Sequence, residues 1–198
     1  MMLSTLWPHT EYAEDQPFPK LILTSHVLDR SFQAGAFLGA SAGLTRMALL
    51  AYRPTANNKL YTRWIVPPGS TPATLLLRST GVGAAIGLGA MTAMLPYYLV
   101  KWEPIEWQDR SWRLLENEGQ LEVDTWGFVG AVLGLTGMVV MARRNAGMFQ
   151  LTGHQDVSPL VLLQMLGWKN GFASAGMGSL TGVLGYMGWR YGIMKGER

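Results

Sequence analysis

Side chains that can ligate a metal or act as acids, bases or nucleophiles are few and scattered in this sequence. Cysteine is absent, which excludes disulfides, thiolate metal ligands and thiol catalysis. His9, His26 and His154 are isolated and have no acid at metal-ligand spacing, so we expect them to be solvated or to cap helices. The glycines within 81–83 follow no strand and form no phosphate-binding loop. The sequence therefore predicts a protein that is not an enzyme, with no catalytic residue, cofactor, metal site or nucleic-acid partner.

Four arginines near the ends of long apolar runs are the remaining candidates for a function. Arg46 follows Gly43 by three residues inside the first run, and Arg78 leads the second run. Arg143 and Arg144 directly follow the third. An ionisable group within a membrane span is a functional hypothesis by default, and these four are predicted to contact phospholipid headgroups, cardiolipin among them. Two alternatives stay open: the first two arginines snorkel to phosphates or bind helix-end carbonyls, and the last two only set topology.

The elements that must position these arginines are four apolar stretches, residues 31–52, 74–100, 125–142 and 170–189. None contains Asp or Glu, and each approaches the roughly 20 residues needed to cross a hydrocarbon core. The alternation of a membrane β-barrel is not visible in them. The sequence therefore predicts an all-α membrane protein, one domain over residues 1–198, with four transmembrane helices and short interfacial helices.

Glycine is concentrated in these stretches, which hold 17 of the 24 glycines in the chain. In a soluble helix each glycine would cost about 1 kcal/mol relative to alanine. In lipid, a small residue at every fourth position clears a flat strip on which a neighbouring helix packs closely. The predicted helix-packing residues are Gly35, Gly39, Gly43, Gly83, Gly87, Gly130, Gly134, Gly178 and Gly182.

The connections between the stretches carry most of the charge. Within the N-terminal extension (residues 1–30), Met1–Lys20 carries three acids and no arginine, so we do not expect it to be a cleavable mitochondrial presequence, which is Arg-rich and poor in acids. Residues 157–168 form an uncharged lead-in that is either an interfacial helix or an early extension of the fourth span. The acidic connection over 101–124 is predicted to be an interfacial helix or a tryptophan-rich loop on the bundle. In the helical interpretation Trp102, Ile105, Trp112 and Leu115 form the apolar face, and Asp109, Arg113 and Glu116 lie toward the other.

The distribution of charged residues bears on the orientation. With four spans, eight lysines and arginines lie on the side of the termini and six on the other, which leaves the orientation undecided by the basic residues. Twelve acids share the side of the termini, and only Asp156 lies opposite. The acids therefore favour termini that face the outer aqueous space.

One sequence feature resembles a known family. The four glycine-rich helices, the basic connection after the first, and Arg78 followed by the glycine-rich segment 81–87 resemble the mitochondrial inner-membrane protein import translocase family. The resemblance covers roughly residues 25–192. The chain departs from the family pattern at Val82, where the family has an aspartate, and at Pro67, where it has an aromatic residue.

Within that family the chain is most similar to the branch of accessory subunits of respiratory complex I. The N-terminal extension with Tyr12, Pro17 and Pro19, the acidic 101–124 connection and the helical C-terminal end carry this likeness. The resemblance implies a structural, non-catalytic subunit of the mitochondrial inner membrane that binds core and accessory membrane-arm subunits and phospholipid, with its termini in the intermembrane space. The alternative is a subunit of the import translocase itself.

Overall fold

The protein is all-helical over residues 7–52, 71–149 and 159–194, the part of the chain that the computed structural model describes. No strand occurs in these ranges, so the predicted all-α class is confirmed. The elements are a 3-10 turn at Ala13–Asp15, α1 at Pro19–Tyr52, α2 at Pro72–Lys101, α3 at Pro104–Glu116, α4 at Glu118–Phe149, α5 at Pro159–Met187 and a π-helical turn at Gly188–Ile193.

Two helices are long and apolar enough to cross a membrane, α2 and the segment Glu118–Arg144 of α4. Only 6% of the apolar window of α2 and 11% of that of α4 are buried. The core helix of a soluble protein would be mostly buried, so these two apolar surfaces need lipid or another protein. Among the described residues, α1 and α5 contain no stretch of equal hydropathy.

Local sequence explains where two of the helices begin. Thr71 caps α2 by accepting a hydrogen bond from the Thr74 amide at 3.2 Å. Pro72 occupies the first turn, where a backbone N–H has no partner within the helix, so the N–H that proline lacks is not needed. Glu103 forms a capping box with Glu106 at the start of α3. Pro104 in the first turn and the capping box at Glu103 thus begin α3 only three residues after α2 ends at Lys101.

The helices form two antiparallel hairpins that lie side by side. One hairpin pairs α1 with α2, and the other pairs α4 with α5. They meet chiefly where α2 contacts α5, with a smaller contact between α1 and α5. A short core of Phe32, Ala36 and Ala84 lies between the hairpins. The fold is therefore a pair of hairpins rather than a bundle around one large core.

The amphipathic α3 crosses the N-terminal end of α1, where the main apolar cluster lies. Its buried face consists of Trp107, Ser111, Leu114 and Leu115. The predicted helix is present, and its predicted apolar face is correct in part: Leu115 is buried, but Ile105 is 46% exposed and Trp107, which lies outside the predicted face, is 2% exposed. Trp107 and the two leucines cover Ile22 and Leu23, which belong to the predicted N-terminal extension, and this contact decides which side of α3 is buried.

Three element boundaries differ from the sequence prediction. Helix α1 begins at Pro19, so its polar first third continues the predicted first span. Helix α4 begins at Glu118 and ends at Phe149, beyond both limits of the predicted third span. Helix α5 begins at Pro159 and changes direction at Gly167, whose φ of 75° is the left-handed region that glycine enters without steric cost. From Pro159 onward the predicted lead-in is thus helical, and the kink joins it to the fourth stretch.

Candidate functional site

The α1–α2 interface brings glycine backbones into direct contact. A Cβ atom built on Gly35 would overlap the carbonyl oxygen of Gly83 and lie 3.0 Å from the Cα of Gly87. One turn further along α1, a Cβ on Gly39 would overlap the carbonyl oxygen of Ser79. As the residue numbers of the contacts rise along α1, those along α2 fall, so the two helices are antiparallel with Gly35 opposite Gly83. Only glycine permits this approach, in which Cα–H groups face carbonyl oxygens.

The α4–α5 interface repeats the arrangement. A Cβ on Gly130 would overlap the carbonyl oxygen of Gly178, and a Cβ on Gly134 would overlap that of Ser174. The reverse also holds, since a Cβ on Gly178 would overlap the Gly130 carbonyl oxygen. The two remaining predicted packing glycines are Gly182, against Trp126 of α4, and Gly43, against Leu76 of α2. All nine predicted glycines therefore lie at one of the two hairpin interfaces.

A third glycine contact joins the two hairpins, and its residues are not among the nine predicted packing glycines. A Cβ on Gly81 of α2 would lie 2.8 Å from the backbone nitrogen of Ala173 in α5. Gly176 of α5 packs against Thr80 and Ala36, with its Cβ position 3.2 Å from the Ala36 Cβ. The sequence contains a sign of this second contact, because Gly81 and Gly83 are two residues apart and therefore lie on different sides of one helix. One face of α2 serves the hairpin and another serves the contact between hairpins.

A lateral groove of about 770 Å³ lies beside the α1–α2 contact. Its floor contains the interface glycines, and its walls are apolar side chains of both helices. At one end it is lined by Arg46 of α1 and Arg78 of α2. Leu38 and Ala42 of α1 and Val82, Ile86 and Met91 of α2 line it further along.

The structure separates the four predicted lipid-contacting arginines into two groups. Arg46 and Arg78 meet at the groove, whereas the exposed Arg143 and Arg144 lie on α4 in the other hairpin. The Arg46 side chain does not run outward to the interface: its Nη1 donates a hydrogen bond to Ser79 Oγ at 3.2 Å. Within the described ranges neither groove arginine forms an ion pair with an acid.

A polar cluster between α1 and α4 is the second feature that sequence reasoning missed. His26 Nδ1 lies 2.5 Å from Asp124 Oδ2, and Arg30 Nη2 lies 3.0 Å from Asp124 Oδ1, an ion-pair distance without hydrogen-bond geometry. Gln33 Nε2 donates to Asp29 Oδ2 at 2.6 Å. The expectation that His26 is solvated is therefore wrong. Positions 26, 29, 30 and 33 share one face of α1, a spacing that could have marked the cluster.

Burial makes the Asp29 carboxyl a weaker acid than an ordinary aspartate. Burial and, after it, the negative charge of Asp124 raise the pKa of Asp29 from 3.8 to about 6, while Arg30 and His26 act in the opposite direction. The folded protein holds this proton more tightly than the unfolded chain does. The stability of the fold therefore decreases as the pH rises from about 4 through 6. A cavity of about 360 Å³ adjoins the cluster.

The segment before α1 is held against α3 by polar contacts. Trp112 Nε1 donates to the Thr10 carbonyl oxygen at 2.9 Å, and Gln108 Nε2 donates to the Glu14 carbonyl oxygen at 2.6 Å. His9 stacks on Trp112 with its ring centroid 5.7 Å away. His9 is thus partly sheltered by an aromatic ring. The third histidine, at 154, lies outside the described residues.

A further polar contact joins α4 to the end of α5. The buried Tyr186 hydroxyl donates to Glu122 Oε2 at 2.7 Å, and Arg190 Nη1 lies 3.5 Å from the same oxygen. Like the cluster around Asp124, this contact lies at the end of the hairpins near the chain termini. The two sets together explain why α4 remains helical through its polar first turns.

The polar side chains at this end of the hairpins bond mainly to one another. In the described part of the chain, no group of three His, Asp or Glu side chains could hold a metal ion. The features that remain are backbone-tight helix interfaces, an arginine-ended groove and exposed apolar faces. No family model, curated protein or solved structure matches this chain.

Proposed function

We propose that this protein is a four-helix membrane subunit with a structural role, an accessory subunit of the membrane arm of mitochondrial NADH:ubiquinone oxidoreductase. The observation that carries the structural role is the pair of glycine-packed hairpins whose outer faces stay apolar and open. The family resemblance set out above supports the choice of complex. The protein itself carries out no chemistry and clamps neighbouring helices and lipid together.

The hairpin geometry supports four membrane-crossing helices. Glycines bind α1 to α2 from Gly35 to Gly43, so a bilayer that contains α2 also contains the second half of α1. The contacts from Gly130 to Gly134 tie α5 to α4 in the same way. A helix held in backbone contact with a spanning helix shares its depth. Low hydropathy in α1 and α5 is tolerable because part of their surface faces protein rather than lipid.

Large exposed apolar side chains support lateral contacts with partners. Leu38 is 68% exposed, Ile86 65% and Leu133 65%, and they belong to three different helices. Soluble monomers rarely expose contiguous apolar surface on this scale. Because both hairpins present such faces, the protein can contact lipid on one side and neighbouring subunits on another.

The alternative, a subunit of the import translocase, has one observation in its favour, the lateral groove. A path for a translocated presequence would have to accept an Arg-rich segment. The charged residues at the groove are Arg46 and Arg78, which would repel such a segment. The sign of the groove charge therefore favours the accessory-subunit proposal.

A native gel of mild-detergent mitochondrial extracts tests the proposal. The tagged chain should migrate with the high-mass band that stains for NADH dehydrogenase activity, and depletion should weaken that band. Gly39→Leu together with Gly43→Leu should remove the chain from the band, because Gly39 packs against the Ser79 backbone. Gly89→Leu is the matched control, since nothing lies within 4 Å of its Cβ position. Migration with a much smaller complex, together with failed precursor import, would instead support the translocase alternative.

The orientation has its own test, because the chain contains no cysteine. A single cysteine introduced at Asp109, on the exposed side of α3, should react with a membrane-impermeant maleimide once the outer membrane is opened. A cysteine at Arg143, at the opposite end of the hairpins, should stay protected until the inner membrane is dissolved. The reverse pattern would place the termini in the matrix.

A further inference from the structure

We propose that the lateral groove between α1 and α2 binds one anionic phospholipid, with its phosphate on Arg46 and Arg78 and an acyl chain lying along the apolar walls. The inference rests on the proposed function only in that α1 and α2 lie in a bilayer. It does not depend on which complex the protein joins.

The helix register makes the two arginines converge. Gly35 lies opposite Gly83, so the level of Arg46 corresponds to the start of α2, and Arg78 lies about six residues, or roughly 9 Å, deeper. The side chains of a helix point toward its N-terminus. In this antiparallel pair, Arg46 therefore points inward and Arg78 points outward, toward the same end of the groove. The bond from Arg46 to Ser79 shows the inward direction directly.

The guanidinium groups of Arg46 and Arg78 have N–H donors available for a ligand. Each guanidinium carries five N–H groups, and among the described residues Arg46 uses one of them in its hydrogen bond to Ser79. The helices that form the groove contain no acid from Ser31 to Tyr52 or from Pro72 to Lys101. A phosphate accepts two or more charge-assisted hydrogen bonds from arginines in this arrangement. The charge at the groove end therefore matches an anionic headgroup.

The rest of the groove matches an acyl chain. Leu38, Val82, Ile86 and Met91 line it beyond the arginines, and its volume of about 770 Å³ lies within the range of sites that hold small molecules. A helix of a partner protein, about 10–12 Å across, would press apolar side chains against two arginines. Desolvating these charges without an acidic partner is costly. A single lipid satisfies both the charged and the apolar parts of the groove.

Native mass spectrometry of the full chain, released from nanodiscs of phosphatidylcholine with a minority of phosphatidylglycerol, tests the proposal. One phosphatidylglycerol should be retained per chain in preference to phosphatidylcholine. Arg46→Gln combined with Arg78→Gln should reduce this retention by about tenfold or more, the loss expected for one charge-assisted contact. Arg143→Gln combined with Arg144→Gln is the matched control, with the same change of net charge outside the groove, and should retain the lipid.

A second variant covers the case in which loss of both arginines disturbs the fold. Ala42→Phe fills the groove from an exposed position and leaves the interface glycines in place, so it should lower retention while helicity and thermal stability are kept. Equal retention of both lipids, or undiminished retention in both groove variants, would overturn the proposal. Loss of retention in the control pair would also overturn it, because the effect would then follow net charge alone. Failure to join complex I on a native gel would leave this result unaffected.

Discussion

The α4–α5 contact at Gly130 allows a quantitative test of backbone packing. In Gly130→Ala, the new methyl group would overlap the Gly178 carbonyl oxygen and lie 3.0 Å from the carbonyl carbon. Carbon atoms pack best about 3.5–4.0 Å apart, so the helices must separate by about 1 Å. Such a gap removes a quarter to a half of the dispersion energy of the facing atoms. We expect Gly130→Ala to lower the free energy of unfolding by about 1–3 kcal/mol, the usual cost of overpacking.

Gly137 on the same helix provides the matched control. Nothing lies within 4 Å of its Cβ position, so Gly137→Ala adds a methyl group without a clash. Alanine restricts the unfolded chain more than glycine does, and the change should stabilise the protein by about 0.4–1 kcal/mol. The two chemically identical substitutions should therefore have effects of opposite sign that differ by about 1.4–4 kcal/mol.

Unfolding by sodium dodecyl sulfate in mixed micelles, followed by tryptophan fluorescence, measures this difference. Trp126 lies one turn before Gly130, and its ring stacks 6.4 Å from that of Trp189 in the π-helical turn after α5, so separation of α4 from this end of the chain contributes to the change in tryptophan emission. Equal unfolding energies for the two alanine variants would refute the reasoning. Gly178→Ala combined with Gly130→Ala should cost less than the sum of the single changes, because the first already separates the helices.

Three further predictions concern polar contacts near the chain termini. Asp29→Asn should raise the free energy of unfolding at pH 7 by up to about 3 kcal/mol, because a pKa difference of about 2 corresponds to that energy. The decrease in unfolding free energy between pH 4 and 7 should also become smaller. An unchanged pH profile would contradict the argument that the Asp29 carboxyl is buried. Trp112→Phe removes the hydrogen-bond donor to the Thr10 carbonyl oxygen and should weaken the attachment of the segment before α1 by about 1 kcal/mol. Proteolysis of that segment should become several-fold faster. Unchanged cleavage would mean that this hydrogen bond does not hold the segment in place. Tyr186→Phe leaves Glu122 without its shortest donor and should lower the unfolding energy by about 1 kcal/mol in the same detergent titration, whereas no loss would make the contact dispensable.

The sequence predicted the existence of the long helices because each contains an uncharged apolar run, and apolar runs of this length are a robust signal. It did not predict the polar first third of α1. Residues 19–30 combine apolar side chains that contact α3 with polar side chains that contact α4, and both helices are distant in the sequence. The rotated face of α3 has the same origin, because Ile22 and Leu23 of α1 select which side of that helix is covered.

The candidate site was partly predictable for similar reasons. Glycine spacing located the packing faces, but glycines four residues apart permit several registers, each shifted by one turn. The pairing of Gly35 with Gly83, and hence the meeting of Arg46 with Arg78, therefore needed the structure. The contact between His26 and Asp124 spans 98 residues and leaves no local trace except a polar stripe on α1.

The contact between His26 and Asp124 also constrains the order of assembly during synthesis. The α1–α2 hairpin is complete once Lys101 has been made, and its glycine contacts can form at that point. His26 and Arg30 must then wait for Asp124 of α4, a helix that begins 17 residues later. Until α4 is made, the first hairpin carries polar side chains whose partner is missing. A chain truncated after the first hairpin would thus expose charged groups that the complete protein pairs, a difference that quality-control proteases and chaperones can recognise.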